Sequence, residues 1–181
     1  MSSIADLTPG VWNVDTSHSV VGFSARHLMI SKVRGRFTDF SGSVTIAEDP
    51  LQSTVEANVD LSSVTTGDDQ RDAHLKSADF FDIENHPHMT FTSTSLKADG
   101  EDFVMTGDLT VAGTTRTVDF ELEFDGVEKD PWGGTRAGFT ASTEISRKDW
   151  EMTWNVALET GGVLVGDKVK IELDIQARKL D

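Results

Sequence analysis

Five histidines and no cysteine set the first chemical question. A zinc site needs a tight group of nitrogen, sulfur or oxygen ligands, and without thiolates only imidazoles and carboxylates remain. His74, His86 and His88 supply three imidazoles, the number some catalytic zinc sites use, and His86 and His88 would share a face if they lay on a strand. They flank Pro87, and no ligand-spacing signature accompanies them. They define the alternative reading, a metal-dependent enzyme. A nucleophilic triad around Ser19 is weaker. Its neighbour His18 would point to the opposite face of a strand, so the two are poorly placed to share a proton.

Other polar residues suit binding better than catalysis. In the stretch from Asp15 to His27, Val21, Phe23, Ala25 and His27 share one face. An imidazole ending that face suits a hydrogen bond to a polar group of a ligand. The competing reading is a core histidine satisfied by a carbonyl or an acid. His18 reads as an anchor at a strand start. Arg71, with Asp72 and His74 close by, sits near the start of an expected helix. There it could meet an anionic head bidentately or pair with Asp68, Asp72 or Asp79. Arg147 and Asp149 read as a mutual clamp on a long loop, ahead of ligand contact. Gly107 and Gly113 read as backbone geometry.

The elements that position these residues are mostly strands. Period two dominates the chain, from Val21 and Phe23 to Val169, Ile171, Leu173 and Ile175 with Lys170, Glu172 and Asp174 between them. About eight strands emerge, separated by turn pairs such as Asp49-Pro50, Asp99-Gly100 and Gly133-Gly134. A change of parity near Asp39 predicts a bulge or bend. The segment from Thr66 to Phe81 breaks the pattern; Asp68 and Asp69 suit a helix N-terminus, giving a short helix between strands three and four. Asp149 to Gly162 reads as a long loop with a helical turn. Clean alternation means antiparallel sheet wet on one side.

The 181 residues suit one domain, 1–181. Sixteen basic against thirty-one acidic residues leave a formal net charge of -15. That balance argues against nucleic acid as a partner, and an anionic membrane surface would repel the chain for the same reason. No apolar run approaches the roughly 18 residues of a membrane span. The N-terminus lacks the basic and apolar regions of a leader, so a cytoplasmic location is expected. No cofactor is implied, and association into a homodimer is left open.

Along the inward faces, large residues (Phe23, Phe37, Phe91, Phe103, Phe120, Phe139) interleave with small ones (Ala25, Gly35, Ala57, Gly107, Ala141). Such an interior is either filled by its side chains or hollow enough for one small ligand. Patterning leaves both open. The motifs W-N-V-D-T-S-H from Trp12, V-R-G-R-F from Val33, R-D-A-H-L from Arg71, G-D-L-T-V from Gly107 and V-G-D-K-V from Val165 resemble the YceI family. The likeness runs in order along nearly the whole chain. It departs at Glu151, where relatives often carry glycine after the Asp-aromatic pair, and at His86-Pro87-His88.

The resemblance implies an all-β, eight-stranded antiparallel lipocalin-like barrel and a non-catalytic carrier of a long isoprenoid lipid, polyprenyl or isoprenoid quinone. On that reading Phe23, Ala25, Phe37, Phe91, Phe103, Met105, Phe120, Phe139 and Ala141 line the lumen. His27, Arg71 and His74 are the candidates for its head group.

Overall fold

The alternating segments pair into one antiparallel sheet, seen in a computed structural model that describes residues 2–159 and 162–179. In chain order its strands are β1 (Gly10–Val14), β2 (Val20–His27), β3 (Ser31–Phe37), β4 (Phe40–Ile46), β5 (Thr54–Asp60) and β6 (Val64–Thr65). After helix α1 (Asp69–Lys76) come β7 (His88–Asp99), β8 (Asp102–Val111), β9 (Thr114–Lys129), β10 (Thr135–Ser146) and β11 (Val165–Lys179). Eight of them, β1-β4-β5-β7-β8-β9-β10-β11, form a closed ring because β1 also pairs with β11 at Asn13–Arg178 and Val14–Ala177. The free stretch of the same β11 edge, from Val165 to Asp174, carries β2, and β3 and β6 follow outward. This is the expected eight-stranded antiparallel barrel with a helix after its third long strand.

Three local readings are refined. The segment around Asp15 is not strand: β1 precedes it, and Thr16–His18 is a 3-10 turn whose Asp15 cap accepts from Ser17 N at 3.0 Å. The parity change near Asp39 is the expected bend, at Thr38 and Asp39, and not a bulge. β3 and β4 are separate strands that never pair, and the Ser63 hydroxyl accepts from Thr38 N and Asp39 N where the chain crosses between them. In the long loop the helical turn comes first, as a 3-10 turn at Arg147–Trp150. Residues 160 and 161 of that loop lie outside the described residues. Helix α1 starts where expected, with the Asp68 carboxylate accepting from Gln70 N and Arg71 N.

Two register shifts keep the apolar side inward along the longest strands. Between Ser93 and Ser95, and again between Phe124 and Gly126 opposite Gly138 and Phe139, one strand carries an extra residue. Each shift switches the parity, so that Leu96 follows Ser93 and Val127 follows Phe124 on the packed side. Gly35 and Gly107 do not open space in the barrel. The Phe23 ring lies over Gly35 and the Phe91 ring over Gly107, so a β-carbon at either glycine would strike a ring. The small residues therefore seat aromatic rings against the wall.

Candidate functional site

Between those walls lies an elongated cavity. About 160 Å³ of it is open to the centre of a water-sized sphere. That is on the order of ten times what one buried water requires. The middle is walled by Phe91, Met105, Leu109, Phe120, Leu122 and Ala141, with Ile171, Leu173 and Ile175 of β11 alongside. The few polar residues on the wall are Ser41, Ser53, Ser93, Thr90 and Glu56; among the described residues no lysine, arginine or histidine lines it. A space of this size with almost only hydrocarbon around it has little to offer water, and it suits an apolar chain.

Packed side chains flank the cavity at both ends. At one end the N-terminal 3-10 turn Ile4–Asp6, held by a reciprocal Ser3–Asp6 capping box, sets Ile4 and Leu7 against the cavity. Leu7 is buried there with Trp12, Val44, Ile46, Ala137 and Ala177. At the other end Phe40, Val59 and Met89 reach the cavity and pack with Phe37, Leu61 and Val64 beneath Leu75 of α1, Phe81 and Ile83.

Of the expected lumen residues, Phe91, Met105, Phe120, Phe139 and Ala141 line this space. Phe37 is buried in the cluster at the α1 end, with Phe23 packed against it at 5.5 Å between ring centroids. Ala25 and Phe103 are half-buried on β2 and β8 and fall outside the cavity wall. The reading from aromatic residues passed over Leu122, Ile171, Leu173 and Ile175, although period two places all four on inner faces. Ile4 and Leu7 carried no strand signal at all.

The three head-group candidates are held elsewhere. The Arg71 guanidinium donates to Thr66 Oγ1 at 2.7 Å and to Thr66 O at 2.9 Å, tying α1 to the strand before it. It makes no ion pair with Asp68, Asp72 or Asp79 among the described residues; Asp72 instead accepts from Thr66 N and Oγ1. His74 shares a proton with Asp79 across 2.9 Å and stands edge-on to Trp154, 4.5 Å between centroids, and to Phe80. His27 is half-buried at the far end of β2, opposite Val165 and Ser31.

The imidazoles of the metal reading are likewise apart. The His86 ring lies over Gly113, and His88 is exposed at the start of β7. Among the described residues no three His, Asp or Glu side chains are grouped to hold a metal.

Arg147 clamps the long loop, but Asp149 is not its partner. The guanidinium is 3% exposed and donates to the carbonyls of Gly166 (3.0 Å), Met152 (2.6 Å), Trp154 (2.8 Å) and Val165 (3.3 Å). Burial pushes its pKa down, while Asp167 at 3.6 Å pulls it up. Four carbonyls on one cation fold the loop over Phe80 and Trp154 beside the α1 end of the barrel. Near the end of β10 that lies away from Arg147, Asp15 accepts from Ser17 Oγ at 2.6 Å, from Arg136 Nη1 at 2.6 Å and from His18 Nδ1 at 3.0 Å. These bonds, that from Ser17 foremost, hold its carboxyl far below the usual carboxylate range.

Residues 12–177 match the family described as YceI-like domain. Protein YceI of Escherichia coli is 44% identical over 136 residues, covering 75% of this chain and 71% of that protein. BcnA of Burkholderia cenocepacia superposes with a TM-score of 0.77 over 90% of this chain and 98% of its own, at 23% identity. A polyisoprenoid binding domain from Saccharophagus degradans superposes at 0.69 over 96% of this chain and 100% of that domain, at 18% identity. The last two likenesses concern the fold.

Proposed function

From this chain's membership of the YceI-like family we propose that it is a non-catalytic binding and carrier protein for a long isoprenoid lipid, whose tail occupies the barrel cavity. The observation that carries the reading is the elongated cavity, with no basic residue among the described residues of its wall. A tail there gains about 0.8 kcal/mol for each CH₂ taken from water, so a prenyl chain binds with few polar contacts. The description of the Saccharophagus degradans domain as polyisoprenoid binding, on a barrel of the same shape, agrees with this ligand class.

The wall also bears on the head group. A pyrophosphate inside it would face hydrocarbon, without a cation, in the field of a chain of net charge -15. A quinone or an uncharged prenol avoids that cost, and is the head we propose. Native mass spectrometry of freshly purified protein tests the reading. The expected result is a bound species whose mass falls in the isoprenoid series, released by organic extraction. Ligand-free protein that also takes up no added prenol would overturn it. Prenol affinity is expected to stay constant as ionic strength rises, whereas a pyrophosphate analogue tightens; equal responses would remove the argument for an uncharged head.

A further inference from the structure

The hairpin of β2 and β3 has a composition unlike the rest of the chain. From Thr16 to Thr38 there are four of the sixteen basic residues and none of the thirty-one acids. Arg26, Lys32, Arg34 and Arg36 are all exposed, and cross-strand pairing places them together on the outer face: Arg26 opposite Lys32, Ser24 opposite Arg34, Gly22 opposite Arg36. Like charges directly opposite one another destabilise a strand pair. Among the described residues no ion pair uses any of the four. On the adjoining β11, Lys170 stands beside Ser24 and forms an ion pair with Glu172, the nearest acid on that strand.

The tip adds a second anomaly. Leu28 and Met29 turn the chain with φ of 54° and 60°, the left-handed region that such hairpins usually fill with Asn-Gly. Each bulky residue held there carries a steric cost. Their side chains point into solvent: Leu28 is 37% exposed, Met29 55% and the following Ile30 80%. Leu28 N donates to Leu164 O, and Leu164 N to Val156 O, so the long loop with exposed Val156 and Val163 continues the apolar surface.

An apolar tip behind which four cations are aligned, none in an ion pair among the described residues although Lys32 and Arg34 share a groove with Glu172 and Asp174 of β11, fits one kind of surface. We propose that this hairpin docks on an anionic lipid bilayer, with Leu28, Met29 and Ile30 inserted among the headgroups and Arg26, Lys32 and Arg34 against lipid phosphates. The negative charge of the whole chain does not prevent it. Exposed charges more than about 8 Å away are largely screened at physiological ionic strength, so the bilayer responds to the hairpin it touches. A second copy of the chain is the poorer occupant. The edge of β3 from Ser31 to Gly35 lacks a strand partner, but antiparallel self-pairing there would set Lys32, Arg34 and Arg36 against their own copies. The inference concerns a surface apart from the cavity, and its test requires no bound isoprenoid.

The test is co-sedimentation of the full chain with large vesicles of phosphatidylglycerol and phosphatidylcholine, against phosphatidylcholine alone, at low and high salt. Binding is expected only with the anionic lipid, weakening as salt rises. Replacing Arg26, Lys32 and Arg34 with serine is expected to weaken it about five-fold for each charge removed. The double change Leu28→Asn with Met29→Gly removes two inserting side chains while supplying the turn's preferred residues. It is expected to abolish vesicle binding with a melting temperature equal to or above the parent's, which separates lost docking from lost fold. Trp132→Ser, at the β9–β10 turn beyond the opposite end of β11, is expected to change nothing. The proposal fails if the parent ignores anionic vesicles, or binds neutral ones equally. It also fails if the tip variant still binds, or if the tip change instead dissolves a dimer seen by sedimentation.

Discussion

Ala141→Leu separates a hollow barrel from a packed one by the signs of two effects. Ala141 is buried on β10 between Leu122 of β9 and Leu173 of β11, and its methyl faces the cavity. Leucine adds three carbons to that face. In a hollow barrel they occupy empty space, which for cavity filling adds roughly 0.5–2 kcal/mol to the stability of the free protein. The same carbons displace an equal length of bound tail. At about 0.8 kcal/mol each, the ligand loses about 2.4 kcal/mol, or roughly 50-fold in affinity. Chemical denaturation of lipid-extracted protein reads the first effect, and competition of geranylgeraniol against a fluorescent apolar dye reads the second. The reasoning is refuted if the variant loses about 1–3 kcal/mol of stability and keeps its prenol affinity, because that is the behaviour of an overpacked solid core.

Three further outcomes follow from the geometry. Arg147→Met strands four carbonyls around the loop, and is expected to cost roughly 3 kcal/mol or more and to open the 151–164 segment to limited proteolysis. Glu151 stands in the left-handed region at φ 63°, so Glu151→Gly is expected to raise stability by about 1 kcal/mol in thermal unfolding. The depressed pKa of Asp15 means that the folded state favours its ionised form. That contribution is complete above the unfolded carboxylate pKa, near 4, and is lost as the pH falls below it towards the folded value. Asp15→Asn is expected to flatten the acid limb of melting temperature against pH, with the Arg136 and Ser17 contacts as the cause.

Much of the barrel was legible because period two is a local signal. Val169, Ile171, Leu173 and Ile175 face inward whatever they pair with. β1 was not legible, since five residues around Trp12 become a strand only through partners on β4, about thirty residues on, and on β11, at the far end of the barrel. The cavity was half legible. Ala141 would read the same facing a void or a neighbour, and Gly35 and Gly107, which resembled gaps, lie beneath phenylalanine rings. The polar candidates misled for a different reason. Arg71 and His74 find Thr66 and Asp79 within six residues, through turns whose geometry the spacing does not encode. Arg147 was rightly read as a clamp, but its acceptors are backbone carbonyls, which no side-chain pattern announces.

The seam between β1 and β11 also bears on how the chain matures. Trp12, 1% exposed when folded, shares its cluster with Ala137 and Ala177, and Asp15 N donates to Gln176 O across 2.8 Å. During translation the first of these residues leaves the ribosome long before the last is made. A half-built wall therefore shows its greasy side until β11 has been made, and ring closure becomes a long-range event. For such a nascent chain, shelter from aggregation matters most until β11 has emerged.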